Sequence, residues 1–259
     1  MLKLIVIHFR MGALQELQYR ANFWFALLQT TLSLVSALGA LGIVFSHTRM
    51  LGDWHPMELV ALLGVYFLMS GFIESVVQPS MERFLQDIRQ GTLDFVLTKP
   101  RDSQLLVSIR RVSPWSLLDV VLGVAVLAVA LARMHRTFTP AQGLAFAAVL
   151  VAGAVIVASF WLILATLAFW FVRIENILFI FQSTYQAGRW PVGIYPKLLR
   201  LVLTFLVPVA FAVTVPAEAA VGRLEPRTML LALGLAAAIA AVARGFWRYG
   251  VRRYSGASA

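Results

Sequence analysis

The sequence predicts an all-α, polytopic membrane protein with six transmembrane helices and both termini on the cytoplasmic side. Three observations carry this prediction. The 259-residue chain is 60% hydrophobic and only 13% charged, where soluble domains run near a quarter charged. Its apolar residues gather in uncharged blocks, several longer than the roughly 20 residues that take a helix across a bilayer. Its lysines and arginines, which leave a net charge of +10, are sorted by segment.

The elements follow in order, and the whole chain, 1–259, reads as one transmembrane domain. Residues 1–20 mix Lys3, Arg10, Glu16 and Arg20 with apolar positions, the pattern of an interfacial helix that feeds the first span. Residues 23–46 are uncharged and open on Phe23, Trp24 and Phe25, an interfacial aromatic anchor. A short loop with Gly52, Asp53 and Pro56 leads to a second span over 57–78, with Glu58 and Glu74 near its ends. After a polar middle segment, Ser113-Pro114 reads as an N-cap followed by Pro at the first helical position. The third span then covers 116–132, with Asp119 in its first turn. Residues 141–172 carry no charge, more than a fourth span needs, so they tilt or extend beyond the core. The last span, 228–247, is rich in Ala, which permits close helix packing.

Residues 174–222 are irregular. A short apolar helix, 174–187, is followed by "GRWPVGIYP" and by an apolar run broken at Pro208 and Pro216. Two arrangements share the same parity. Either 174–196 is a cytoplasmic connection and 198–217 crosses, or 174–187 begins a crossing and the Pro-broken run dips back from the far side. Irregular backbone at membrane depth is tolerated only where protein buries it or it lines a cavity.

Orientation follows from the basic residues. Lys3, Arg10 and Arg20, then Arg83, Arg89, Lys99, Arg101, Arg110 and Arg111, then Arg244, Arg248, Arg252 and Arg253 lie in three segments. On the side opposite them stand only Arg49, then Arg133 and Arg136, then Arg223 and Arg227. The asymmetry places both termini and the middle segment in the cytoplasm. Membrane topology accounts for the basic balance, so nucleic acid is not an expected partner.

Several chemistries are absent. No cysteine occurs, and His8, His47, His55 and His135 are scattered, so no metal site is expected. There is no G-x-x-x-x-G-K-[ST] loop to cradle nucleotide phosphates and no G-x-S-x-G elbow. An intramembrane enzyme would need an assembled acid, base or metal set, and an ion-coupled transporter would show two similar halves with buried charges. Neither pattern is present. Glu74 and Asp119 are the ionisable groups nearest membrane depth, structural or pathway residues by position. At helix edges they are expected to stay hydrated or to meet arginines such as Arg83 or Arg111.

The middle segment is built. Met81, Phe84, Leu85 and Ile88 fall at i, i+3, i+4 and i+7, a helical stripe, with Asp87 and Arg89 on other faces. Gly91 is placed to end that helix in the left-handed conformation. Thr92 is placed to cap a second short helix over 93–98, with Asp94 in its first turn where the dipole favours an acid. Lys99-Pro100 stops it, and Asp102 or Ser103 starts a third. Such an amphipathic piece rests on lipid, on its own spans, or on a soluble partner.

"IRQGTLDFVLTKP", residues 88–100, resembles the Gly-Thr-Leu-acid…Leu-x-x-Pro signature after the second span of ABC-2-type exporter permeases. "YPKLLRLVLTFLVPVAFAVTVPAEAAVG", residues 195–222, is similar to the Tyr-Pro…Pro-x-Ala-Phe…Pro-Ala…Gly pattern of the same branch. The resemblance implies a permease subunit in a bacterial-type cytoplasmic membrane, not an enzyme itself. It would pair with a second permease, identical or related, and with separate ATPase subunits that hold ATP and Mg; no cofactor is expected on this chain. It makes residues 81–112 the coupling region. The contact residues would be Met81, Phe84, Leu85, Asp87, Ile88, Arg89, Gly91, Thr92, Leu93, Asp94, Leu97, Lys99 and Pro100. It favours the dip-back arrangement for 188–222, with Pro191, Tyr195, Pro196, Pro208 and Pro216 shaping the re-entrant segment. The apolar spans suit a hydrophobic or amphipathic cargo.

Overall fold

The computed structural model describes residues 20–134, 139–171 and 175–254. The expected interfacial helix lies outside these residues except for Arg20, as does Arg136. The described chain is helical throughout. α1 is Arg20–His47, α2 Pro56–Phe72, α3 Gln78–Arg89, α4 Asp94–Leu97, α5 Ser103–Ser108 and α6 Leu117–Arg133. α7 is Pro140–Thr166, α8 Glu175–Tyr185, α9 Lys197–Leu201, α10 Val215–Ala220 and α11 Pro226–Arg253.

α2 and α3 are one continuous helix, joined by a π turn over Ile73–Val77. Pro79 explains the turn. Proline has no N–H and its ring crowds the carbonyl four residues back, here that of Ser75. The helix widens to let the ring pass, and the Ser113 N–H takes the freed Ser75 carbonyl at 2.8 Å. The second span therefore does not stop at Gln78, as the polar run after it suggested. It carries the middle segment as its own extension.

α6 runs antiparallel to α2 at backbone distance. A Cβ built on Gly123 would lie 2.4 Å from the Leu68 nitrogen, one on Gly64 2.7 Å from the Leu127 nitrogen, and one on Gly71 2.6 Å from the Val120 nitrogen. Small residues let helix axes approach this closely in a membrane. The start of α6 differs from expectation. Ser113-Pro114 is not its cap, because the Ser113 backbone is committed to Ser75. The chain instead makes a tight turn, with Leu117, Leu118 and Asp119 N–H donating to the Pro114, Trp115 and Ser116 carbonyls.

α7 opens with a capping box, the Thr139 N–H donating to Gln142 Oε1 at 3.1 Å and the Gln142 N–H to Thr139 Oγ1 at 3.3 Å. It ends at Thr166 with a 3₁₀ turn to Phe169, short of the expected 172. α11 packs along α7, burying Ala232, Ala236, Ala243 and Trp247, so the Ala-rich composition does serve close packing.

α8 continues through 3₁₀ turns at Gln186–Arg189 and Val192–Ile194. Then α9 with its π turn, Lys197–Leu206, meets Ala210–Ala220 at a bend of 76°. Pro208 sits at the bend, where Val207 is extended. Both ends of this bent pair meet the α1–α2 loop. Ile194 lies beside Gly52, while Arg223 donates to the Asp53 carbonyl at 2.6 Å and to Glu58 Oε2 at 3.0 Å.

Among the described residues, four helices are long and apolar enough to cross a membrane: Asn22–His47, Pro56–Arg89, Pro140–Phe169 and Pro226–Arg253. The bent pair makes a fifth if counted as one span. Of the other expected spans, α6 has 17 residues and α8 has 11.

Candidate functional site

Two features lie at opposite ends of the π turn, a platform below it and a polar cavity beside it. The platform is α3, α4 and α5. Gly91, with φ +65°, ends α3 as expected, because only glycine adopts that conformation without strain. Asp87 closes the turn around it. Its carbonyl accepts the Thr92 and Leu93 N–H groups at 2.9 and 3.2 Å, and its Oδ1 accepts Thr92 Oγ1 at 3.0 Å. Thr92 is thus spent on Asp87 and does not cap α4, whose N-cap is Leu93. Arg83 Nε lies 3.2 Å from Asp87 Oδ1, and Arg110 Nε 2.5 Å from Oδ2. The Arg110 contact is one of charges, not an aligned hydrogen bond.

The stripe faces inward. Met81, Phe84, Leu85 and Leu93 are buried, as is Asp87, with Phe84 and Leu93 at 0% exposure. Phe84 packs its ring 5.6 Å from that of Phe169 and 5.3 Å from that of Trp247, so the stripe fastens the platform to the ends of α7 and α11. This corrects the expectation that these apolar side chains are offered to a partner. Ile88, Gly91, Thr92, Asp94 and Leu97 are half-buried; Arg89, Lys99 and Pro100 are exposed. Asp102 caps α5 as expected, accepting the Leu105 N–H at 3.3 Å. Arg244 grips Asp102 through both carboxylate oxygens and Gln104 Oε1 at 2.8 Å, and Trp247 Nε1 donates to Ser103 Oγ at 3.2 Å.

What the platform leaves outward is Phe95, 72% exposed, with Gln90, Thr98 and Arg101 also exposed nearby in the chain. Phe95 was missed because it lies off the 93/96/97 apolar face; a lone aromatic on the wrong face of a polar helix is its only signal.

Beside the π turn, a cavity of about 220 Å³ opens between α1, α2, the start of α6 and α8. It brings together Glu74 and Asp119, as well as Arg189, Tyr66, Trp115 and Tyr185. Thr30 lines the cavity with Asp119. The charge facing Glu74 is Arg189, and Arg83 is paired with Asp87. The arginine that lines the cavity with these carboxylates is Arg189. The prolines divide: Pro191, Pro208 and Pro216 are buried, Pro196 is exposed and Tyr195 half-buried. Tyr195 Oη donates to the Ala187 carbonyl at 2.9 Å. No group of His, Cys, Asp or Glu able to hold a metal occurs among the described residues.

The described residues form an all-helical chain whose second span runs unbroken into the platform. A family model described as ABC-2 family transporter protein matches residues 31–258. The chain belongs to the ABC-2 transporter family. No curated protein and no solved structure matches it. As an ABC-2 permease it is a multi-pass membrane protein, and its family implies an ABC ATPase as partner. The ABC-2 match covers both the platform and the bent pair.

The permease's α5–α11 clamp has a pH signature. The Arg244 guanidinium, which donates to Asp102, holds that carboxyl below its ordinary value of 3.8. A carboxyl lowered in the folded state stabilises fully above its unfolded value and loses that stabilisation as the pH falls through the lowered one. Arg244→Ala therefore lowers the thermal midpoint of the purified permease by a constant amount above about pH 4, and the difference from wild type shrinks below it. A difference that grows on acidification contradicts this assignment.

Proposed function

We propose that this chain is the transmembrane subunit of an ATP-driven exporter in the cytoplasmic membrane, moving a hydrophobic or amphipathic cargo. Separate ATPase subunits, holding ATP and Mg, press on the platform, and a second permease completes the pathway. The observation that carries the reading is the union of platform and span: α3 is the same helix as α2 and is fastened to α7 and α11 by Phe84, Asp102 and Trp247. A push on such a body cannot be absorbed locally and moves packed spans between discrete arrangements. Phe95 and the basic residues about it are the contact.

The arrangement has six crossings, with α6 and α8 supplying the two that are short. The bent pair is re-entrant, because Ile194 at its start and Arg223 after its end both reach the α1–α2 loop. The broken backbone at Pro208 is buried, the condition for irregular structure at membrane depth.

The test is copurification of a P-loop ATPase with the tagged chain from mild detergent. Phe95→Asp reduces the captured ATPase at least tenfold while the thermal midpoint of the permease stays unchanged, since Phe95 is exposed. Undiminished capture removes Phe95 from the contact, and the absence of any ATPase with the wild-type chain refutes the exporter reading. Phe84→Asp, in contrast, disrupts the fold itself, burying a charge between Phe169 and Trp247.

A further inference from the structure

We propose that the cavity beside Glu74 binds the cationic head of an amphipathic organic ammonium compound, whose tail lies in the adjoining void towards the platform. Charge is the first argument. Glu74 and Asp119 place two carboxylates against one guanidinium, and Arg189 is already engaged. Its Nη2 donates to Ser33 Oγ at 3.0 Å and its guanidinium lies 5.3 Å from the centroid of the Tyr66 ring. Two acidic side chains thus face a single, already engaged guanidinium at a depth where ionisable groups are costly and mark function.

The second argument is what faces that charge. Tyr66 and Tyr185 stack at 5.4 Å and Arg189 already lies over Tyr66, so Trp115, which joins them in the lining, offers the π face for a further cation. Tyr185 is 5% exposed, its hydroxyl beside Ser70 of the same cavity, while Trp115 Nε1 has no hydrogen-bond partner. Buried polar groups are normally satisfied, and Trp115 lines the cavity.

Size supplies the third argument. Whole-ligand pockets run from about 300 Å³ upward, so a cavity of about 220 Å³ holds a head only. A void of about 280 Å³ lies towards the platform, walled on one side by Leu85, Trp161, Leu178 and Phe179 and on the other by Gln78, Glu82, Gln86 and Arg89. A small void of about 10 Å³ lies between them, and Gln182 lines all three spaces. The result is an acidic, aromatic head site with an annex apolar on one side. That the ligand is exported cargo rests on the exporter reading; that it binds does not.

The experiment uses the purified chain without ATPase, in neutral maltoside micelles, and titrates octyltrimethylammonium against octyl sulfate by calorimetry with empty micelles as blank. The ammonium binds saturably, and the sulfate gives only the blank. E74Q and D119N each weaken the ammonium at least tenfold, and Y185F weakens it severalfold. Equal binding of the two ligands overturns the proposal, as does undiminished ammonium binding by the double variant E74Q/D119N, the outcome expected of groups that only exchange a proton. The comparison of ligands on the wild-type chain stands whether or not a variant folds. Failure to capture an ATPase refutes the exporter reading and leaves this result intact; failure to bind the ammonium does the reverse.

Discussion

Gly123→Ala destabilises the protein by about 3 kcal/mol or more, the upper range for overpacking, although it adds a single methyl group. The new Cβ would stand 2.4 Å from the Leu68 nitrogen and 2.7 Å from the Gly64 carbonyl oxygen. Both are backbone atoms, so no side chain can turn aside, and α2 and α6 must separate along their whole contact. Gly234→Ala is the control. Nothing in the chain lies within 4 Å of a Cβ there, and in a helix Ala is favoured over Gly by about 1 kcal/mol. Thermal midpoints of the two variants in detergent check the pair, and equal behaviour would mean that the α2–α6 crossing is not tight.

Asp87→Asn loosens the platform without unfolding the spans. Asn retains an oxygen for Thr92 Oγ1 but removes the charge that Arg83 and Arg110 share. Breaking a buried ion pair costs about 3–5 kcal/mol; Arg83 is 39% exposed and Arg110 22%, so both regain some water and the lower figure applies. A drop of about 3 kcal/mol in local opening energy speeds cleavage roughly a hundredfold when opening is fast. Trypsin at Arg89 and Arg101 reads this directly. Cutting at the wild-type rate would show that Asp87 does not hold the turn.

The parts of this fold that were legible in the sequence are those set by local rules. Uncharged blocks marked α1, α2, α7 and α11, Gly91 marked the end of α3, and Asp102 marked the start of α5. What was not legible depended on neighbours. The stripe Met81, Phe84, Leu85 and Ile88 has the same periodicity whether it meets a partner or its own spans; only Phe169 and Trp247, remote in sequence, decide the matter. Gly64, Gly71 and Gly123 gain meaning once α6 is known to lie against α2. Glu74 and Asp119 were found as ionisable groups near membrane depth. Their counter-charge Arg189 was not, because it sits in the Pro-rich block whose path was open. Pro79 opens the polar stretch that follows the second span in the sequence. It is tolerated inside a helix because a serine thirty-eight residues before Ser113 surrenders its carbonyl to that residue's N–H.

The joint between α2 and α3 has a mechanical meaning. At 34 residues the helix is a rod about 50 Å long, and Ile73–Val77 is the joint within it. Glu74 belongs to the joint itself. π turns hold one surplus residue, and a shift of that surplus by a single position rotates a side chain by about 100° around the axis. Glu74 thus sits on the one stretch of the rod where a change of register, and not of helix position, would re-aim its carboxylate.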